Sequence, residues 1–156
     1  MSYSLRSKAR EFAMQMLFQW EMSPQDSKKL AATFWRGAVA SEDAEIFADQ
    51  LFHATVRTVK DLDETIERHC QNWRADRIAA IDRAILRLAL HEIAVGKTPA
   101  RTVINEAVKL AKKYSSDDSA AFVNGILDAA VKARPKNSAH RTPHNKAKTA
   151  TDSQPS

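Results

Sequence analysis

Apolar residues recur along this chain at three- and four-residue intervals, with no alternating apolar/polar run of the strand type. Ala9, Phe12, Ala13, Met16, Leu17 and Trp20 follow an i, i+3, i+4, i+7, i+8, i+11 series, which predicts an amphipathic helix over about 5–22. At ~100° per residue, Phe18 falls opposite that stripe, with Met14 near it. Either more protein covers this face, or an aromatic is left facing a ligand. Ser23-Pro24 ends the helix, and a shorter one is expected over about 25–36, carrying Leu30, Phe34 and Trp35. Ser41 followed by Glu42 and Asp43 is an N-cap with acids at the positive helix end. One long helix is expected from there to about Cys70, burying Phe47, Leu51, Thr55, Leu62 and Ile66. A break is expected over 73–76.

The segment 81–95 is apolar around most of its circumference, with only Arg83, Arg87 and His91 as a narrow polar stripe. Such a helix belongs at the centre of a core or under a partner. After Gly96 and Pro99, the run Ile104 to Ala130 reads as two more helices. The first buries Val103, Ile104, Ala107, Val108 and Ala111, with Lys109, Lys112 and Lys113 mostly off that stripe. The second buries Phe122, Val123, Ile126, Leu127 and Ala130. Between them, Ser115 and Asp118 match the capping-box spacing. Gly125 sits inside the helical pattern at ~1 kcal/mol below alanine, and close approach of another backbone is the expected reason.

Composition agrees with an all-α fold. There are three glycines and five prolines in 156 residues, and 44% of residues are apolar. The net charge of +5 is unevenly placed: residues 134–156 hold +4 and residues 1–133 only +1. Nucleic-acid binding by the folded part must therefore rest on local patches. Residues 134–156 mix Pro, Ser, Thr, Asn and Lys without a large apolar residue, which predicts a disordered basic tail. No apolar run approaches the ~20 residues that span a bilayer, and Cys70 is the single cysteine. A soluble cytoplasmic protein without a disulfide is expected. There is no glycine-rich phosphate loop, no zinc spacing and no nucleophile elbow, and the five histidines are scattered. The acids around Asp61 and Glu64 alternate with Lys60 and Arg68 at i,i+4 spacing, a solvated face rather than an acid/base pair. No catalytic residue, cofactor or metal ligand is expected.

The positive signals are for binding. Arg6, Lys8 and Arg10 form a basic run at the start of the first helix, and Lys109, Lys112 and Lys113 adjoin Tyr114. Single-stranded RNA is held by basic groups along its backbone and by aromatics under unpaired bases. Phe18, Tyr114 and Phe122 are candidate platforms, each with core packing as the alternative.

Three blocks in order resemble the NusB family of bacterial antitermination factors: AREFAMQMLFQWE (9–21), DRAILRLALHEI (82–93) and INEAVKLAKKYSSDDSAAFVNGILDAA (104–130). The resemblance implies a bundle of about seven helices, in subdomains of about 5–70 and 73–133. It implies binding of boxA-type RNA from nascent ribosomal RNA together with the ribosomal protein NusE, which keeps the RNA polymerase elongation complex moving. Carried over by position, it places RNA on Arg6, Lys8, Arg10, Phe18, Tyr114, Asp118 and Phe122, and NusE near Asp82 and Arg83. Two departures stand out. The N-terminal run is less arginine-dense than is common in the family, and Ser115 stands where a glycine is common. Two other readings are a helical adaptor without RNA contact and the RNA-binding domain of an RNA cytosine methyltransferase. The latter class needs a further methyl-donor domain with a catalytic cysteine.

Overall fold

The computed structural model describes residues 2–70 and 77–134, and these contain seven α-helices and no strand. They are α1 (Tyr3–Met22), α2 (Ser27–Gly37), α3 (Glu42–Arg57), α4 (Val59–His69), α5 (Ala80–Val95), α6 (Ala100–Tyr114) and α7 (Asp117–Lys132). None is long and apolar enough to cross a membrane. The tail expected over 134–156, apart from Arg134, and the break expected over 73–76 lie outside the described residues.

Local chemistry sets the helix ends. The Asp26 carboxylate accepts from the backbone N–H of Lys28 at 2.8 Å and Lys29 at 3.2 Å, starting α2. Ser41 accepts from the Ala44 N–H and starts α3, as its sequence context predicts. Gly96, at φ 77°, closes α5 in the left-handed conformation that glycine tolerates best.

The single helix expected from Ser41 to Cys70 is instead two. Thr58 leaves helical geometry, and its hydroxyl donates to the Ala54 carbonyl at 3.0 Å, while the Thr55 hydroxyl donates to Leu51 at 2.6 Å. Threonines that bond back to the preceding turn bend helices, and two of them flank this corner. The turn lets α4 swing onto α5 and α7 while α3 stays against α1.

Helices α1 and α5 are the central pair. α1 packs on α2, α3 and α5, and α5 also contacts α3, α4, α6 and α7. Met14, expected near the outer face of α1, is fully buried, so only a narrow strip of that helix remains for other work. Phe12 meets Phe34 and Trp35 edge to face at 5.9 and 5.3 Å, and the Trp35 indole donates to Asp49 at 2.7 Å. This seats α2 on α1 and α3. The glycine expected at a close backbone approach is not at one: a Cβ on Gly125 would meet nothing within 4 Å.

Two sets of ion pairs join helices in the core. Arg10, 2% exposed, donates from Nε and Nη2 to both oxygens of Glu92 at 2.9–3.1 Å, joining α1 to α5. Its guanidinium carbon lies 5.8 Å from the Phe47 ring centre, which brings in α3. The second set is a network in which Arg87 holds both oxygens of Asp63 at 2.8 Å and approaches Glu21 at 3.6 Å, while Arg83 also pairs with Glu21. Two members of the α5 polar stripe, Arg83 and Arg87, thus clamp α1 and α4.

Removing one partner of a buried ion pair leaves an uncompensated charge, a loss of ~3–5 kcal/mol. Arg10→Ala or Glu92→Ala should each lose about that much stability in urea unfolding. The joint replacement Arg10→Met/Glu92→Leu should recover most of it, since apolar isosteres of a buried pair are often neutral.

Candidate nucleic-acid interface

The surface with convergent basic and aromatic groups is the seam between α1 and α6. Tyr3 meets Glu106 and Glu11 meets Tyr114, both pairs 103 positions apart, so the two helices run parallel along this edge. In the first cluster the Tyr3 hydroxyl donates to Glu106 Oε1, and Lys109 Nζ donates to the Tyr3 hydroxyl at 2.9 Å. In the second the Tyr114 hydroxyl donates to Glu11 Oε1, to which Lys113 Nζ also donates at 2.7 Å. Gln15 donates to the Tyr114 oxygen at 2.9 Å, and Lys8 stands 3.9 Å from the other Glu11 oxygen. The carboxylates lie inside, with side chains 13% (Glu11) and 5% (Glu106) exposed, and the ammonium groups outside, at 54% (Lys8), 63% (Lys109) and 59% (Lys113).

Burial pushes the carboxyls of Glu11 and Glu106 up, but donors and cations outweigh it. Lys113 and Tyr114 hold Glu11 below the ordinary 4.5, and Tyr3, Lys109 and Arg10 help hold Glu106 there. The same contacts raise the other side: the Tyr3 hydroxyl and Glu106 keep Lys109 charged to higher pH, and Glu11 does so for Lys113. Burial, then the bond to Glu11, raises the Tyr114 phenol. At neutral pH the seam is a row of exposed ammonium groups over carboxylates that lie deeper.

The expected site residues separate into groups. Arg6 and Lys8 are exposed, Lys8 with its ammonium 5.1 Å from the Phe12 ring centre. Arg10 is corrected: it is 2% exposed and bonded to Glu92 in the core, so burial keeps it from an outside phosphate. Its spacing in the basic run concealed this, because Arg10 is displaced by ~200° around the helix from Lys8. Phe18 and Phe122 are half-buried, each packed against the core with part of the ring accessible. Phe18 shares the α1 strip that carries Glu11 and Gln15.

The α6–α7 junction also differs from expectation. Ser116, not Ser115, caps α7, accepting from the Ser119 N–H at 3.0 Å. Ser115 ends α6 at φ −134°, a conformation that needs no glycine. Asp118 is exposed in the first turn of α7, where its charge suits the helix dipole. The Ser115 hydroxyl donates to Ser119 at 2.7 Å, and Ser119 donates to Asp82 Oδ2 at 3.0 Å. Asp82, expected as an exposed partner contact, is therefore only 6% exposed and tied to α7, although no donor reaches its Oδ1 among the described residues. Arg83 is half-buried against Glu21 and the Ile78 carbonyl. Tyr3, Glu11, Gln15, Glu106 and Ser119 were not singled out by sequence. Each takes its role from a partner ~40–100 positions away, which no local pattern reports.

Residues 7–132 match the model of the NusB family. A transcription antitermination protein NusB from Koribacter versatilis is 41% identical over 129 residues, covering 81% of this chain and 88% of the relative. The protein of the same description from Thermoanaerobacter sp. is 39% identical over 127 residues, covering 81% and 90%. Among solved structures, one described as the antitermination factors NusB and NusE in complex with dsRNA superposes with a TM-score of 0.78 at 29% identity. It covers 85% of this chain and 100% of that one. The Thermotoga maritima (T. maritima) NusB structure gives 0.76 at 29% identity, covering 85% and 94%.

The lowered carboxyls of Glu11 and Glu106 link stability to pH. Their contribution is fully present above the ordinary glutamate value of 4.5 and is lost as pH falls through their lower folded-state values. Urea unfolding measured from pH 6 down to about 2.5 should show stability falling across that window. The double variant Glu11→Gln/Glu106→Gln should be less stable at neutral pH and show a shallower fall. Equal slopes for the two proteins would separate the seam from the acid response.

Proposed function

The chain belongs to the NusB family, and on that premise we propose that it is a cytoplasmic transcription antitermination factor that works by binding rather than catalysis. It binds boxA-type RNA of nascent ribosomal RNA transcripts together with NusE, and through that assembly supports elongation by RNA polymerase. The observation that carries this reading is the α1–α6 seam, where exposed Lys8, Lys109 and Lys113 flank half-buried Tyr114. Lysines meet the phosphates, and aromatics offer faces to unpaired bases.

The proposed RNA surface comprises Arg6, Lys8, Phe18, Tyr114, Asp118 and Phe122. Asp118, exposed and acidic, accepts from a base edge or a ribose hydroxyl. NusE is proposed at the N-terminal end of α5, where Asp82 and Arg83 stand between α1 and α7. The subdomain division belongs to the same reading. α1–α3 pack together and α5–α7 pack together, which supports it, whereas α4 packs on α5 and α7 across the proposed boundary and α1 and α3 both meet α5.

The deciding experiment titrates the full chain, with and without NusE, against labelled boxA-type RNA, a scrambled strand and a duplex of the same sequence. Preference for the boxA strand, strengthened by NusE, is the expected result. Equal binding of strand and duplex would replace base stacking with backbone recognition, since only unpaired bases offer a free face. No RNA binding in any arm would leave a protein adaptor.

Two variants test the surface. Each phosphate contact contributes ~0.7 to the log–log salt slope on a single strand, so Arg6→Ala/Lys8→Ala should flatten it by roughly 1.4. Phe18→Ala should weaken RNA binding ~10- to 100-fold. Its folding loss should stay below the ~3–5 kcal/mol of a fully buried phenylalanine, because the ring is only half-buried. A loss of that size with unchanged RNA affinity would return Phe18 to the core.

A further inference from the structure

The seam contains the same arrangement twice. In each copy a tyrosine hydroxyl donates to a glutamate on the other helix, buried for Glu106 and partly buried for Glu11, and a lysine of α6 bonds into the pair and stands over the ring. Lys109 Nζ lies 5.1 Å from the Tyr3 ring centre and Lys113 Nζ 5.5 Å from that of Tyr114. The tyrosine comes from α1 in one copy and from α6 in the other. Tyr3 lies eight positions before Glu11, and Glu106 eight before Tyr114. The copies are therefore ~12 Å apart along the helix axes, about two nucleotides of an extended strand. Tyr3 is the more open of the two rings, at 55% exposed, and its lysine side chain is 63% exposed.

Resting on the reading of this chain as an RNA-binding factor, we infer that Tyr3 and Lys109 form a second nucleotide position, a base-stacking ring with its own phosphate cation. It extends the RNA track from the α6–α7 junction to the start of α1. An exposed ammonium over a ring contributes only a few-fold in affinity, whereas a base on an aromatic contributes about tenfold or more. A base arriving at Tyr3 therefore displaces Lys109 from the ring, and the freed ammonium, on a flexible stem, moves to the adjoining phosphate. The bond to Glu106 holds the phenol in one orientation while this happens. Such fixing suits a platform, because ordering is complete before the strand arrives. The position also answers the thin basic run: with Arg10 withdrawn into the core, an aromatic and a lysine from α6 stand beside Arg6 and Lys8.

The test uses the full chain, fluorescence anisotropy with labelled boxA-type RNA, and two substitutions. Tyr3→Phe removes the hydroxyl bond but keeps the ring, and Tyr3→Leu removes both. Stacking predicts wild-type affinity within about twofold for Tyr3→Phe, about tenfold weaker binding for Tyr3→Leu, and similar urea midpoints for the two variants. A purely structural clasp predicts equal weakening of both, and an uninvolved residue predicts no change in either. Each of those two results overturns the inference. Lys109→Met should flatten the salt slope by ~0.7, and an unchanged slope removes the phosphate contact. Failure of the wild-type chain to bind RNA would instead reject the functional reading itself. Normal wild-type binding with an unaffected Tyr3→Leu rejects only this extension.

Discussion

The ion pair between Arg10 and Glu92 is the constraint on which the arrangement of α1 depends. Two charges taken out of water are tolerated only when each is held by geometry as good as this, with both carboxylate oxygens engaged at 2.9–3.1 Å. Meeting that condition fixes both the rotation of α1 about its axis and its height against α5. The apolar stripe alone specifies neither tightly, since alanines and methionines such as Ala9, Ala13, Met14 and Met16 permit small slides and turns. Once Arg10 is seated, Glu11 must face α6 and Phe18 must stand on the same narrow strip. The functional face is thus oriented by a contact inside the core.

The cost of that solution is one cation removed from the surface. A basic run read from sequence as three outward charges supplies two, and α6 supplies the others. The parallel course of α1 and α6, bridged by side chains, makes this possible, because the lysines of α6 at i and i+4 come to the same edge as Lys8. Glu106, buried, and Glu11, partly buried, pair with those lysines and subtract from the positive potential of this edge. The surface gains order and loses field strength. For a protein whose residues 1–133 carry only +1, that choice favours recognition by shape and stacking over bulk attraction.

Helix class and most of the core were legible because they rest on periodicity, which needs no partner, whereas the count of seven came from the family resemblance and not from the period. Phe12, Leu51, Ile66, Val123 and Leu127 are inside as their spacing predicts. Thr58 was missed because a helix corner made by hydroxyls bonding back one turn leaves the apolar period intact. The Ser115/Ser116 choice was missed because adjacent serines give the same composition and differ only in backbone angles. Arg10 was misplaced for a different reason: charge was read as exposure, and its partner lies 82 positions away. Asp82 repeats that lesson, buried through a bond to Ser119 that no local pattern predicts.

These failures share a direction that bears on function. Arg10 and Asp82 both hold helices together beside the proposed interfaces, Arg10 beneath the α1–α6 seam and Asp82 between α5 and α7. Polar contacts in low dielectric are directional, and each loses free energy sharply when its geometry slips. Apolar packing, by contrast, accepts volume-conserving rearrangement. On the proposed reading, in which Phe18, Tyr114 and Phe122 meet a strand with little structure of its own, the scaffold gains from the directional kind. The chain therefore spends its buried charge where position matters and leaves its outer surface to lysines on flexible stems. Those stems adapt to a backbone that arrives in many conformations, while the rings beneath them stay where the core has put them.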